Sequence, residues 1–294
     1  MLHCSIWCFT LVSVEIYRHP MFDIEPTDRK LQRARGSARV GFAFSGGRTR
    51  LKDLHQSGCA KAMLPQVPGP PEVVFLNTAG GLTGGDQLEF RLDLAAGGQV
   101  TGTTQTAERA YESSGGAAAV LCHLSAGAGA SLDWLPQETI LFDRSSMDRR
   151  TRIELDGDAR LLFCETLVLG RAAMGETVRQ MRLTDRREVL RYGRPVLVDS
   201  VRLDRAGLAM AGNPAMLGDA RAVALLALVA PGAEDALGSV RRLLDEPGVS
   251  AEASGWDGRC LVRLMARDAW PLRRQMVKLL THIRGTVPPR VWQI

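Results

Sequence analysis

The feature that most constrains the fold of this chain is a succession of short apolar runs that mostly follow one another without an amphipathic helix between each pair. Residues 87–94 (QLEFRLDL) alternate apolar and polar side chains, as in a strand with one buried face. Asp156-Gly157 and Asp257-Gly258 lie between apolar runs and predict two-residue hairpin turns. The other predicted strands are residues 73–76, 100–106, 117–124, 139–142, 150–155, 161–169, 178–183, 196–203 and 260–265.

Helical patterns are confined to the last part of the chain. Residues 234–245 and 271–284 carry apolar side chains at helical spacing. The second segment places Arg273, Arg274 and Lys278 on its other face, which is either a solvated face or a docking surface for a partner. Strands that follow strands argue against a doubly wound α/β fold, and they favour a mainly β architecture with a pair of helices toward the C-terminus.

Composition narrows the classes of protein further. The 294 residues are 45% hydrophobic, which is enough for a sizeable core. The longest apolar run, residues 222–230, is too short to span a membrane, since a spanning helix needs about 20 residues. The formal charge is +5, but the arginines alternate with acids instead of gathering on one face, so neither a membrane nor a nucleic acid is expected as a partner.

Cysteine usage and the first residues bear on the cellular compartment. The six cysteines contain no CxxC pair, which is typical of a cytoplasmic protein with isolated, mostly buried thiols. Residues 6–14 are apolar, but the segment lacks the basic start and the small-residue cleavage site of a signal peptide. We therefore interpret the beginning of the chain as an N-terminal extension.

The glycine-rich segment at residues 77–86 (NTAGGLTGGD) fits neither a phosphate loop nor a dinucleotide fingerprint, because Asp86 and a strand follow its last glycine. It predicts a tight turn between strands, with glycines at positive φ. His55 and Cys59 would share a face if residues 54–58 were helical, which is a weak metal-site pattern. Cys122 and the residue after it would point to opposite faces of a strand and would not chelate together.

Carboxylates are the strongest candidates for chemistry. Glu165 interrupts the apolar run at residues 161–169, where a buried acid requires a partner or a function. Arg171 is the partner that the sequence offers for an ion pair. Paired acids would also suit a β-helical carbohydrate-active hydrolase, although few aromatic residues are present to stack on sugar rings.

Four segments together resemble one family. They are residues 77–86 (NTAGGLTGGD), 103–113 (TTQTAERAYES), 132–143 (LDWLPQETILFD) and 165–176 (ETLVLGRAAMGE). In this order they look like the urease accessory protein UreD, which is called UreH in some organisms. The resemblance extends from about residue 35 to the end of the chain. It implies that residues 1–27 are an extension outside the fold and that residues 28–294 form a single UreD-like domain.

The resemblance also implies a function. UreD-like proteins have a β-helix-like stack of short strands, are not enzymes, and bind the urease apoprotein. With UreF and the GTPase UreG they help to insert nickel into urease, and UreE is the usual nickel donor. No cofactor is expected to stay bound, and nickel(II) would pass through weak ligands that release it again. Candidates for such a path are the acids Asp86, Glu138, Asp143, Glu165 and Glu176, which alternatively satisfy backbone amides at turns.

Overall fold

The computed structural model describes residues 32–213 and 215–293, and its strands form two sheets. The expectation for residues 1–27 lies outside the described residues. Sheet A has seven strands in the order β14-β13-β11-β8-β5-β1-β2. Their bounds are β1 Arg35–Ser45, β2 Arg48–Gly58, β5 Gln87–Leu94, β8 Ala118–Ala126, β11 Ser146–Leu155, β13 Arg182–Arg191 and β14 Arg194–Leu203.

Sheet B has ten strands, eight of them in the order β16-β17-β15-β12-β9-β6-β4-β3. Two very short strands, β7 and β10, extend it beside β12. The bounds are β3 Ala60–Met63, β4 Glu72–Asn77, β6 Gln99–Thr104, β7 Glu108–Ala110, β9 Ser131–Leu135, β10 Thr139–Leu141, β12 Arg160–Leu169, β15 Ala222–Val229, β16 Val249–Trp256 and β17 Arg259–Ala266.

Between β4 and β13 the chain coils between the two sheets, and the strands of successive coils pair in parallel. This stack of parallel coils confirms the expected β-helix-like architecture. Strand β5 alternates buried and exposed residues because one face of sheet A meets solvent. Strand β12 is buried almost throughout, because sheet B lies between sheet A and the C-terminal helices.

The core between the sheets is built from large apolar side chains. Phe75 of β4 lies 4.9 Å from Phe90 of β5 and 5.8 Å from Trp134 of β9, measured between ring centroids. All three rings are buried. Aromatic contacts of this kind join strands of both sheets across successive coils.

The helices lie toward the C-terminus and are α1 Arg205–Ala209, α2 Leu237–Arg242 and α3 Ala269–Arg284, with short 3₁₀ turns at Ala172–Met174, Ala233–Ala236 and Arg290–Trp292. Helices α2 and α3 cover the outer face of sheet B, whereas α1 lies against β14 of sheet A. Asp268 caps α3 by accepting the backbone N–H of Trp270 at 2.7 Å, and the helix ends at Gly285 with φ 69°. No helix among the described residues is long and apolar enough to cross a membrane.

Three local predictions need correction. Asp257-Gly258 forms the expected hairpin turn between β16 and β17, but Asp156-Gly157 does not, because it connects β11 of sheet A to β12 of sheet B. The strand expected at residues 178–183 instead begins at Arg182. Residues 54–58 belong to β2 and are not helical.

Candidate functional site

Four turns of the stack meet at one corner of the molecule. Each turn connects a strand of sheet B to the next strand of sheet A, and the turns span residues 78–86, 105–117, 136–145 and 170–181. Leu82 of the first turn bridges Ala110 of the second, which pairs with Leu141 of the third. Leu141 also pairs with Leu169, the last residue of β12 before the fourth turn. We call these four turns the motif corner, because the four segments of the resemblance end in them.

Glycines allow the first two turns to approach each other. A Cβ atom on Gly81 would lie 2.2 Å from Cε2 of Tyr111, and one on Gly84 would lie 2.0 Å from Oγ of Ser113. Gly81 also has a φ of 156°, which disfavours other residues. The expectation of a glycine-dependent turn between strands is confirmed.

Asp86 fastens the first turn to the start of β1. Its carboxylate is buried and accepts the backbone N–H groups of Thr83 and Ala34, each at 2.8 Å. Both oxygens are therefore engaged by backbone donors. This arrangement matches the alternative that the acid satisfies amides at a turn.

Asp143 and Glu176 clamp the third turn to the fourth. Asp143 accepts the backbone N–H groups of Arg179 at 2.7 Å and Gln180 at 2.9 Å, and the bond from Gln180 contributes most to a lowered pKa of its carboxyl group. Glu176 accepts the N–H of Asp143 at 3.0 Å and Nε of Arg171 at 2.8 Å. Burial raises the pKa of Glu176, but bonds from Arg171 and from backbone amides lower it by more.

The surface of the motif corner is aromatic and cationic. The guanidinium of Arg171 lies 4.4 Å from the ring centroid of Phe142. That ring meets Tyr111 edge to face at 5.0 Å, and the Tyr111 hydroxyl donates to the carbonyl of Gly80 at 3.1 Å. Met174, which follows Arg171 closely in the sequence, is 73% exposed.

A cavity of about 90 Å³ lies beside the corner and extends between the two sheets. Residues from the first three turns line one part, and side chains of the inter-sheet core line the rest. Its lining includes Asn77, Glu108, Trp134, Thr139, Arg149, Glu165 and the Cys122 thiol. Burial raises the pKa of the Cys122 thiol to about 12, so the thiol is protonated at neutral pH. The volume has room for water molecules or a hydrated ion.

Glu108 is the acid of this cavity with the fewest charged contacts. It accepts the backbone N–H of Arg109 at 3.0 Å and Nδ2 of Asn77 at 3.3 Å. Burial raises the pKa of its carboxyl group. No salt bridge reaches it from the part of the chain that the structure describes. A carboxyl group that lines a cavity, has a raised pKa and lacks a cationic partner is typical of a functional site.

Trp134 gives a second indication that the cavity holds a polar occupant. Its side chain lines the cavity and is 1% exposed. Within residues 32–213 and 215–293, no atom accepts a hydrogen bond from its indole N–H. Buried donors in native proteins almost always have a partner, so water or a bound solute is the expected acceptor.

Glu165 is the first member of a buried network of charges. It accepts Nε of Arg187 at 2.6 Å and lies 2.8 Å from a guanidinium nitrogen of Arg149. Asp185 binds Arg149 through two bonds of 2.9 and 2.6 Å and also contacts Arg187. Asp199 joins Arg187 to the exposed Arg263, both at 2.6 Å, so the network extends from the cavity to the surface.

The prediction that Arg171 is the partner of Glu165 was wrong. Arg171 pairs with Glu176 in the motif corner, whereas Glu165 pairs with Arg149 and Arg187. The prediction that a buried acid at this position needs a partner is nevertheless confirmed. Proximity in the sequence suggested the wrong arginine. The true partners are on β11 and β13, and the stacking of the coils places these strands against β12 although they are farther away in the chain.

Glu138 connects the third turn to the C-terminal helix. Arg273 donates to Glu138 at 2.6 Å and to the Gln137 side chain at 2.8 Å. Its guanidinium lies 4.7 Å from the ring centroid of Trp292, whose indole N–H donates to the Leu135 carbonyl at 2.9 Å. The C-terminal segment is thereby fastened next to the cavity.

Comparison with known proteins gives the family. The family model described as UreD urease accessory protein matches residues 34–293. The chain belongs to the UreD family of urease accessory proteins. It is 56% identical to the urease accessory protein UreD of Cereibacter sphaeroides strain ATCC 17025 over 264 residues, covering 90% of this chain and 96% of that protein.

Two further UreD proteins are also similar to this chain. The Paracoccus denitrificans protein is 51% identical over 277 residues, covering 94% of this chain and 97% of the relative. The Rhizobium leguminosarum bv. trifolii protein is 42% identical over 265 residues, covering 90% and 96%.

In this UreD-family chain the basic face expected on α3 is not continuous. Arg273 is only 8% exposed, so its assignment to an exposed face was wrong. Arg274 binds Glu246 at 2.8 Å and Lys278 contacts Asp245, so both of these cations have acidic partners. A role of Arg274 and Lys278 in docking stays a prediction.

The weaker metal patterns do not form a site in the described part of this UreD-family chain. No group of three or more His, Cys, Asp or Glu side chains there could hold a metal ion. His55 is exposed on β2, and Cys59 follows that strand. Cys122 is buried, and its neighbour His123 is on the opposite, outer face of sheet A.

Sequence reasoning missed Glu108, Trp134 and Arg149 as residues of the site. Glu108 and Trp134 lie inside segments that carry the UreD resemblance, which is the signal that could have drawn attention to them. Nothing in the local pattern indicates that the side chain of Glu108 lines a cavity. Arg149 precedes the run predicted at residues 150–155, so its inward position was not considered.

Proposed function

We propose that this UreD-family chain is a non-catalytic assembly factor of the cytoplasm. It binds the urease apoprotein and, with UreF and the GTPase UreG, enables GTP-dependent insertion of nickel into the urease active site. UreE supplies the nickel upstream. Family membership over residues 34–293 supports the urease accessory role. The glycine-rich turn leads into strand β5 and not into a helix, as a phosphate-binding loop would. This supports the proposal that UreG, and not this chain, binds GTP.

The cavity beside the motif corner is the observation that carries a nickel path. Glu108 and Glu165 both line it, and the indole N–H of Trp134, for which the described residues provide no acceptor, favours water inside it, which a hydrated ion would bring. Nickel(II) accepts carboxylate and water ligands, and a single carboxylate without a Cys/His cage would hold it weakly enough to release it. Nickel is the cargo of this path and does not stay bound.

The other acids of the predicted path have supporting positions. Asp86, Asp143 and Glu176 fasten the turns of the motif corner, and Glu138 fastens the C-terminal segment next to it. We therefore propose Glu108 as the group that contacts the ion. Glu165 already pairs with Arg149 and Arg187, so we propose it and the remaining acids as positioning residues. Substitution of a positioning residue should impair both the binding of the partner proteins and the transfer of nickel, because the turns of the motif corner would no longer be held together.

The function is tested by reconstitution. Urease apoprotein, UreE, UreF, UreG, GTP and nickel are combined with and without this chain, and the nickel content and activity of the urease are measured. We expect both to depend on this chain and on GTP. Omission of the chain with no loss of nickel loading would contradict the proposal.

The isolated chain provides a second comparison, because paired acids also occur in glycoside hydrolases. Incubation with polysaccharides should release no sugar. If the isolated chain hydrolysed a polysaccharide and Glu108→Gln abolished this activity, the chain would be a hydrolase and not an assembly factor.

A further inference from the structure

Strand β2 has an unusual position at the end of sheet A. Within residues 32–213 and 215–293 it pairs with β1 on one side and with no strand on the other. Every residue of β2 except Thr49 is exposed. Its free edge therefore presents backbone donors and acceptors over most of the 11 residues of the strand.

Two leucines of β2 are exposed although they belong to the inward side of the sheet. Leu51 pairs with Phe42 of β1, and Leu54 pairs with Val40. Phe42 and Val40 are buried, whereas Leu51 is 47% and Leu54 is 42% exposed. A bulge at Lys52, between these pairs, keeps both leucines on the same face although they are three residues apart.

We propose that β2 pairs in antiparallel fashion with β2 of a second copy of this chain, about a two-fold axis between Lys52 and Asp53. Lys52 of each copy then lies opposite Asp53 of the other. Leu51 lies opposite Leu54, and Arg50 lies opposite His55. The contact is isologous, so each pair occurs twice.

This register satisfies three conditions at once. Opposite charges meet at the axis, where like charges would destabilise the pair. Each exposed leucine meets a leucine on the same face, at the cross-strand Cβ distance of about 5 Å. The bulge is at the same place in both copies, so the number of residues between the paired leucines is equal on the two strands.

A central lysine and a bulge normally protect an edge strand from pairing with unrelated strands. In the two-fold arrangement the same features select a second copy, because Lys52 is matched by Asp53. The two side chains are 66% and 71% exposed and already lie 3.6 Å apart within one chain. At the other end of sheet A, the carbonyl of Val196 on β14 is occupied by Arg259, and Pro195 has no N–H to donate.

Charge exchange tests this pairing in the full chain. The mass in solution is measured by sedimentation equilibrium over a range of concentrations and salt. Lys52→Asp places two acids opposite each other, and Asp53→Lys places two lysines opposite each other. Each single variant should weaken dimerisation about tenfold or more. Arg202→Asp, the same charge change at an exposed position of β14, is the matched control and should leave dimerisation unchanged.

Restoration is the decisive outcome. The double variant K52D/D53K and an equimolar mixture of the two single variants both restore opposite charges at the axis, so both should dimerise like the parent. A parent chain that is monomeric at every concentration would overturn the proposal. A dimer that withstands both single variants, or one that neither the double variant nor the mixture restores, would overturn it as well.

Discussion

Buried charge has two different roles at the scale of single residues. Arg187 is 4% exposed and contacts the three acids Glu165, Asp185 and Asp199, so it neutralises a region between the sheets. Glu108 is held by an amide side chain and a backbone N–H and has a raised pKa. The first arrangement maintains the structure, and the second leaves a carboxylate in a state that favours binding a cation or a proton.

Replacement of Glu108 should stabilise the protein in a pH-dependent way. Because burial raises the pKa of its carboxyl group, the native state holds this proton more tightly than the unfolded chain, and the charged form lowers the free energy of unfolding at neutral pH. Glu108→Gln should therefore be more stable than the parent at pH 7. The difference should disappear as the pH falls below the pKa of glutamate in the unfolded chain.

Denaturant unfolding at several pH values measures this difference. Glu252→Gln makes the same change at an exposed acid of β16 and serves as the matched control. Equal stability of Glu108→Gln and the parent at pH 7 would show that the charged carboxylate of Glu108 does not lower the free energy of unfolding.

Removal of Arg187 should be strongly destabilising. Arg187→Met removes the cation that contacts all three buried acids, and loss of one partner from a buried ion pair reduces the free energy of unfolding by about 3–5 kcal/mol. The exposed neighbour Arg186 pairs with Glu188 at the surface, so Arg186→Met should change it by no more than about 1 kcal/mol. Similar losses for both variants, measured by denaturant unfolding, would be inconsistent with the network.

At the scale of elements, the sequence predicts strands well where one face of the strand is buried and the other is exposed to solvent. Residues 87–94 were predicted with the bounds that β5 has. Strand β2 was missed because nearly all its residues are exposed, so no alternation marks it. Asp156-Gly157 was assigned to a hairpin, since a turn doublet does not reveal whether the chain returns within its own sheet or crosses to the other sheet.

The close approach of the first two turns of the motif corner leads to a prediction at this scale. A Cβ atom on Gly84 would lie 2.0 Å from Oγ of Ser113 and 2.2 Å from the carbonyl oxygen of Gly115. Gly84→Ala should therefore lower the free energy of unfolding by about 1–3 kcal/mol through overpacking. Gly212 has nothing within 4 Å of such an atom, and Gly212→Ala should stay within about 1 kcal/mol of the parent.

Thermal or denaturant unfolding of both glycine variants measures the effect. Hydrogen exchange at Tyr111, whose N–H donates to Leu82 at 2.8 Å, reports on the corner itself. Unchanged exchange and stability in Gly84→Ala would mean that the two turns can separate without loss.

At the scale of the whole molecule, the stack of coils determines which distant residues become neighbours. The mainly β class and the late helices follow from patterns within the sequence. The partner of Glu165 does not, because Arg149 and Arg187 reach it from two other coils of sheet A. Glu108 and Glu165 likewise share a cavity only after the coils have stacked.

We propose that nickel is transferred through this cavity, and the most direct test is the rate at which reconstituted urease gains nickel with Glu108→Gln in place of the parent chain. Binding to UreF, UreG and urease is measured in the same samples, with Glu252→Gln as the matched exposed control. We expect nickel loading to slow by about tenfold or more in Glu108→Gln while the complex still forms. Loading at the rate of the parent and of Glu252→Gln would contradict it.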